Sequence, residues 1–224
     1  MGELESVPLS ARISTGDVKA AYTFNPVVHD GVVLHGQRQC MEKRDRKTVT
    51  LVLGGVRSGK SRWAQELAGK SERVAYVATL QARDAEMREK IHRHQEDRPE
   101  HWQTVEEPLE LARVLMDNGA NFDLLLMDCL TVFVSNVMEA AQTDAASLER
   151  RLDDFLEALR KVPASVVLVS NEVGSGVVPP YPAGRIYRDA LGELNQRVAA
   201  IADNVMLMVA GLPLVLKGST GGRP

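Results

Sequence analysis

From residue 48 onward the hydrophobic positions come in short dense runs separated by amphipathic stretches. TVTLVL (48–53), RVAYVA (73–78), FDLLLMD (122–128), ASVVLVS (164–170) and VMLMVA (205–210) each read as a strand buried on both faces, because their apolar residues follow one another instead of alternating. Between them the spacing predicts helices near 60–69, 84–96, 108–117, 130–141, 147–161 and 183–202. In the fifth of these Leu148, Leu152, Phe155, Leu156 and Leu159 share one face, as an amphipathic helix requires. Apolar strands alternating with helices predict an α/β fold: a three-layer domain with a mostly parallel central sheet and helices on both faces. No internal repeat is visible.

The ends of the chain lack this rhythm. Residues 1–47 hold no sustained period of 2 or 3.6 and close on the charged cluster MEKRDRK, so they read as a poorly ordered leader; on this reading Met41 is an alternative biological start. N-terminal sequencing of natively expressed protein that found Met1 or Gly2 would exclude that start. GSTGGRP (218–224) reads as a flexible tail, which leaves 48–217 as one domain. Composition adds limits to function rather than to fold. With 224 residues, 44% of them apolar, a core forms without staples, and a net charge of −3 gives no basic footprint for nucleic acid or an anionic membrane. The two cysteines, Cys40 and Cys129, are far apart and suggest unpaired thiols in a reducing compartment. No apolar run nears the ~20 residues of a membrane span, so the expectation is a cytoplasmic protein acting on a small molecule.

Chemistry enters with GGVRSGKS, which matches G-x-x-x-x-G-K-[ST] directly after a buried strand and at the start of a helix. Its residues are Gly54, Gly55, Val56, Arg57, Ser58, Gly59, Lys60 and Ser61. The glycines let backbone N–H groups turn toward phosphates, Lys60 reaches the β and γ oxygens, and Ser61 can ligate Mg²⁺ at a helix N-terminus. Such a site also wants a carboxylate at the end of a neighbouring strand, and Asp128 closes LLLMD. These features predict binding of a nucleoside triphosphate with Mg²⁺ and leave the phosphate acceptor open.

The stretch IHRHQEDRPEHW (91–102) holds three of the five histidines. On a helix starting near Asp84, His94 shares the inward stripe with Met87 and Ile91, whereas His92 points about 200° away. The two cannot share one metal while that helix persists, and His101 lies beyond Pro99. An inward imidazole is either a satisfied core group or a nucleophile. Arg98, one turn after His94, suits the second role, because a guanidinium spreads the charge that develops on an attacked α-phosphate. Neutral imidazole is a competent nucleophile at pH 7.

Several separated blocks together resemble one family: LVLGGVRSGKSRWAQELA, VAYVAT, DAEMREKIHRHQEDRPEHWQTVEEP, LLLMDCLTVFVSN, VVLVSNEVGSGVVP and GRIYRDALGELNQRVAAIADNVMLMVAG. They are similar to the bifunctional adenosylcobinamide kinase/adenosylcobinamide-phosphate guanylyltransferases of cobalamin biosynthesis, over about Val49 to Lys217. The resemblance implies a P-loop NTPase (RecA-like) domain that phosphorylates the aminopropanol hydroxyl of adenosylcobinamide with ATP or GTP. It then transfers GMP from GTP to that phosphate through a GMP-histidine. By the family pattern the nucleophile is His94, with Lys60 the other catalytic residue. Implied nucleotide contacts are the phosphate loop, then Ala78, Thr79 and Leu80, then Gln95, Glu96, Asp97 and Arg98, and finally Glu106 and Asp128. A carboxylate at Glu106 could accept from guanine N1–H and N2–H₂. The resemblance also implies a homotrimer. One departure is His92-Arg93-His94, where family members often carry adjacent histidines; the leader is a second. Arg185, Arg188, Asp189 and Asn195 match the late motif, with corrinoid, nucleotide, subunit contact or plain structure all open as roles. Two other readings compete: a plain P-loop kinase in which His94 only packs, and a RecA-like nucleotide-binding module with no turnover.

Overall fold

The computed structural model describes residues 47–81, 98–142 and 144–220. Among the described residues seven strands form one sheet: β1 (Val49–Gly54), β2 (Val74–Ala78), β3 (Gln103–Glu106), β4 (Leu124–Asp128), β5 (Ser165–Val169), β6 (Asn204–Val209) and β7 (Leu212–Lys217). Their order is β3-β2-β4-β5-β1-β6-β7, and every pairing is parallel except β6 with β7. The helices among the described residues are α1 (Lys60–Ala68), α2 (Leu111–Asn118), α3 (Leu130–Ala141), α4 (Ala145–Lys161) and α5 (Pro182–Ile201). The helix expected near 84–96 lies outside the described residues.

Strand alternation divides the core in two. Leu51, Ala75, Val77, Leu125, Met127, Val166 and Leu168 meet α2–α5, with Phe133, Phe155, Leu156 and Leu191 fully buried among them. Their neighbours Val52, Val74, Tyr76, Leu124, Leu126 and Val167 point the other way, onto Trp63, Ala64 and Ala68 of α1 and onto Trp102. Both faces of the sheet are therefore covered, as the dense apolar runs predict. The α4 stripe buries Leu152, Phe155, Leu156 and Leu159, and the Asp144 side chain caps the helix by accepting from Ala146 N–H at 3.1 Å. α2 starts three residues later than expected because Glu107 accepts from the N–H groups of Leu109 and Glu110, holding that stretch in a turn.

Two strands have no counterpart in the sequence reading. β3 is a four-residue edge strand, QTVE, and exposed along most of its length, so it carries no apolar run. β7 follows β6 across the two-residue turn Ala210–Gly211, both at positive φ (51° and 82°), which fits the twist of a hairpin. Its Pro213 is tolerable because β7 is an edge strand. Beyond it, Ser219 N–H donates to Asn204 Oδ1 at 2.9 Å, so the first residues past Lys217 are tied to the sheet.

Candidate nucleotide site at the carboxyl ends of the strands

Ligands of parallel α/β sheets sit beyond the carboxyl ends of the strands, and the register shows which residues arrive there together. Glu106, Ala78, Asp128 and Val169 are aligned across β3, β2, β4 and β5. Because side chains alternate, Asp128 shares a face with Leu126 and Leu124, the face that carries α1. Ala78 and Glu106 follow the same parity through their pairing. The expected metal carboxylate and the expected guanine carboxylate thus occupy one row, on the side where the phosphate loop rises.

That loop leaves β1 at Gly54, whose φ of 151° and surroundings both exclude a side chain. An added Cβ would lie 2.5 Å from the Met208 carbonyl oxygen and 2.7 Å from Ser58 Oγ. Trp63 N–H bonds the Gly59 carbonyl at 3.0 Å as α1 begins, and Gly211 N–H of the β6–β7 turn bonds the Ser58 carbonyl at 3.0 Å. The hairpin that the sequence reading missed therefore buttresses the phosphate loop. Lys60 is buried, and its Nζ donates to the Gly55 carbonyl at 2.6 Å, so the ammonium folds back over the loop. Burial pushes its pKa down, opposed by the nearby charge of Asp128 among others. Ser58 Oγ is buried in the cradle without a hydrogen-bond partner among the described residues.

Asp128 is held from two sides. Tyr76 O–H donates to its Oδ2 at 3.0 Å, and the Thr79 hydroxyl accepts from Cys129 N–H at 2.9 Å while donating to the Cys129 carbonyl at 2.8 Å. Thr79 is fully buried, and its own carbonyl accepts from Asn136 Nδ2 at 2.9 Å. Thr79, expected among the nucleotide contacts, has its hydroxyl engaged by the turn after Asp128 and its carbonyl by Asn136. Asn136 also donates to Pro108 at 3.2 Å, tying α3 to the loop after β3. Cys129 is a free thiol whose pKa burial raises, the Asp128 charge adding to the effect.

Arg98 lies over the Tyr76 ring, Cζ 3.3 Å from its centroid, with Nη1 3.4 Å from Thr104 Oγ1. Its Nε is buried without a partner, an unfilled donor on the same face of the sheet. Glu106 is exposed, and among the described residues its carboxylate has no partner. His94, Gln95, Glu96 and Asp97 lie outside the described residues, as does His92. Leu80 is half-buried just past β2, while Val56 and Arg57 stand exposed on the loop. Of the late motif, Arg185 donates to the Pro179 and Pro180 carbonyls at 3.1 and 2.8 Å, and Asn195 donates to the Asn171 carbonyl at 3.0 Å. Arg188 Nε stands 3.8 Å from Asp189 Oδ1. The Arg185 and Asn195 contacts tie the loop after β5 to α5.

The donor set suits Mg²⁺. Asp128 and the Ser61 hydroxyl offer hard oxygens, and among the described residues no group of three His, Cys, Asp or Glu could cage a metal alone. An ion held by one carboxylate, one hydroxyl and phosphate oxygens fits that inventory.

A phosphate cradle after an inner strand, a carboxylate two strands away on the same face and a guanidinium beside it define a P-loop nucleotide-dependent transferase. More narrowly, the chain belongs to the family described as cobinamide kinase / cobinamide phosphate guanyltransferase, whose profile matches residues 50–216. It is 42% identical over 178 residues to the bifunctional adenosylcobalamin biosynthesis protein CobU of Salmonella typhimurium, covering 75% of this chain and 98% of that one. It is 45% identical over 169 residues to the bifunctional adenosylcobalamin biosynthesis protein CobP of Pseudomonas aeruginosa, covering 75% and 96%. The Escherichia coli CobU protein is 38% identical over 178 residues, covering 75% and 98%. Among solved structures it is similar to a prototypical ATPase from the type III secretion system of pathogenic bacteria, with a TM-score of 0.49, 10% identity and coverage of 75% and 56%.

Proposed function

We propose that residues 48–217 carry out two reactions of cobalamin biosynthesis at one row of strand ends. In the first, the aminopropanol hydroxyl of adenosylcobinamide bonds to the γ-phosphorus of ATP or GTP, releasing the nucleoside diphosphate and a proton. The backbone of Gly54–Ser61 and Lys60 orient the phosphates, which is most of phosphoryl-transfer catalysis. Asp128, through water, and Ser61 hold Mg²⁺, which when bound neutralises charge on the β and γ oxygens. In the second reaction a neutral imidazole nitrogen of His94 bonds to the α-phosphorus of GTP, and pyrophosphate leaves with the electron pair of the broken bridge. An oxygen of adenosylcobinamide phosphate then displaces the imidazole and yields adenosylcobinamide-GDP.

The observation that carries this reading is the convergence of Lys60, Asp128 and Arg98 on the α1 face. Four residues of chain, a contour of at most about 14 Å, separate Arg98 from His94. Arg98 has a donor in reserve for the α-phosphate. Glu106 reads guanine, and Ala78, Leu80 and Gln95–Asp97 complete the nucleotide contacts. The enzyme works in the cytoplasm; none of the described helices is long and apolar enough to cross a membrane. It assembles as a homotrimer, a reading supported by the exposed Leu212, Leu214 and Leu216 on the edge strand β7, where unpaired apolar surface invites a partner.

The test uses Mg²⁺ and GTP labelled at the α-phosphate, followed by denaturation. An acid-labile, alkali-stable label that His94→Ala abolishes and His92→Ala retains, with kinase turnover intact in both, supports the proposal. A label lost only in His92→Ala moves the nucleophile. Turnover with no label in the wild type points to a plain kinase, and no turnover with any nucleotide to a binding module.

A further inference from the structure

We propose that Tyr76 is a positioning residue that couples the metal carboxylate Asp128 to the guanidinium of Arg98, so that the phosphoryl-transfer and guanylyl-transfer groups share one mechanical support. This deepens the reading above and rests on it in two respects, that Asp128 holds the metal and that Arg98 meets the α-phosphate.

Tyr76 sits in the middle of β2, 3% exposed, among Trp63, Trp102 and Leu126. A phenylalanine would satisfy that apolar environment. The phenol instead places its hydroxyl 3.0 Å from Asp128 Oδ2, a diagonal contact between residues two positions apart across the β2–β4 register. A carboxylate at the end of a strand turns about a broad, two-fold χ2, and one fixed oxygen removes that freedom. Oδ2 is thus occupied by Tyr76, and among the described residues Oδ1 accepts no hydrogen bond, so it is the oxygen that would meet the metal's water shell. The hydroxyl is the donor of this pair, since a phenol is protonated at neutral pH and a carboxylate only accepts.

The other side of the same ring carries Arg98, at 3.3 Å from the centroid. Guanidinium over an aromatic face is held by the ring quadrupole, and Thr104 adds one hydrogen bond. A displacement of Arg98 toward a ligand therefore loads the ring whose hydroxyl sets Asp128. Metal position and α-phosphate recognition become linked through one side chain, which suits an enzyme that uses one site for two successive reactions.

Two substitutions separate the halves of this role. Tyr76→Phe keeps the platform for Arg98 and deletes the hydroxyl; Tyr76→Leu deletes both. Mn²⁺ binding to the full chain with a non-hydrolysable GTP analogue, read by electron paramagnetic resonance, measures the metal site without turnover. Tyr76→Phe should weaken Mn²⁺ about tenfold, the lower end of what losing a partner of a metal ligand costs. Both reactions should then need more Mg²⁺, with kcat recovered at saturating Mg²⁺ and the GTP affinity near wild type. Tyr76→Leu should show the same Mn²⁺ loss and, in addition, weaker GTP binding and less covalent label. Asp128→Asn serves as the reference. If Asp128→Asn weakens Mn²⁺ and Tyr76→Phe does not, the coupling is overturned while the metal assignment stands. If Asp128→Asn leaves Mn²⁺ unchanged, the metal assignment fails and takes the coupling with it. A Tyr76→Phe protein that only melts earlier, with Mn²⁺ affinity intact, marks the hydroxyl as structural and overturns the proposal.

Discussion

The two halves of the strand-end row are built differently. On the β1–β5–β4 side every strand is flanked by two others, most apolar residues are buried, and the functional groups hang from short connections: Gly54 to Ser61 at the end of β1, and Asp128 at the last residue of β4. On the β2–β3 side the sheet thins to a four-residue exposed edge, and Glu106 and Arg98 come from that edge and from the connection leading into it. The contrast matches the tasks proposed for each side. Phosphates must be met by fixed dipoles, which a close-packed centre supplies, whereas a covalent carrier has to approach the nucleotide and withdraw, which calls for elements of lower packing density.

The strongest way to break the comparison is to damage the rigid half. Lys60→Ala removes the cation that the loop positions, and both reactions should fall together by on the order of 10²–10³ in kcat. Parallel assays of nucleoside diphosphate release and of the α-phosphate label would check it. Near-wild-type rates in either assay would show that the two reactions do not share this cradle. Next in size, Glu106→Gln acts on the edge half only. Guanylyl transfer from GTP should drop roughly 10- to 100-fold in kcat/KM, because a carboxylate that accepts two guanine N–H groups is replaced by an amide that offers one oxygen and two mismatched donors. The kinase reaction with ATP should not change. Equal losses in both reactions would mean that Glu106 supports the fold of the edge instead of reading the base.

Between the halves stands Thr79, whose hydroxyl spans the Cys129 peptide by accepting from its N–H and donating to its carbonyl. Thr79→Val keeps the shape and orphans both groups, at about 1–3 kcal/mol for each one left buried and unsatisfied. Denaturant unfolding should report that loss, and both reactions should weaken modestly because Asp128 precedes the released peptide. Stability unchanged within error would show that the turn after β4 is held by other contacts.

The sequence was readable where local pattern and tertiary role coincide. Dense apolar runs announced β1, β2, β4, β5 and β6, and the strand–loop–helix context of GGVRSGKS placed the cradle. It was unreadable where a role is set by a partner far along the chain. QTVE carries no strand pattern, and becomes β3 only because Tyr76 and Ala78 offer it ladder partners. LPLVLK contains a proline and becomes β7 only behind the Ala210–Gly211 turn. Tyr76 looked like one more apolar position of VAYVA; what singles it out is a carboxylate 52 positions away in sequence. Thr79 enters the expected nucleotide contacts only through the family resemblance, and nothing local in VAYVAT shows that its buried hydroxyl spans the Cys129 peptide.

The smallest expected effect comes from the opposite ends of the same strands, and it sharpens the comparison by serving as its control. Arg73 pairs with Asp123 before β2 and β4, Nη2 lying 2.6 Å from Oδ1, with both side chains largely in solvent. The pair is screened by water and salt, and its contribution to stability is slight. Hydrogen bonds from the Arg73 side chain and from its backbone N–H lower the Asp123 pKa below the ordinary carboxylate range. A carboxylate depressed in the folded state stabilises above its unfolded pKa, near 4, and that contribution disappears as pH falls through the lower folded value. Asp123→Asn should therefore leave both reactions at wild-type rates at neutral pH and slightly flatten the acid limb of stability, seen as a smaller fall in melting temperature between pH 5 and pH 3. A change in either reaction would mean that the amino ends of β2 and β4 communicate with Asp128 along the strands, and the separation between a working end and a supporting end would then have to be abandoned.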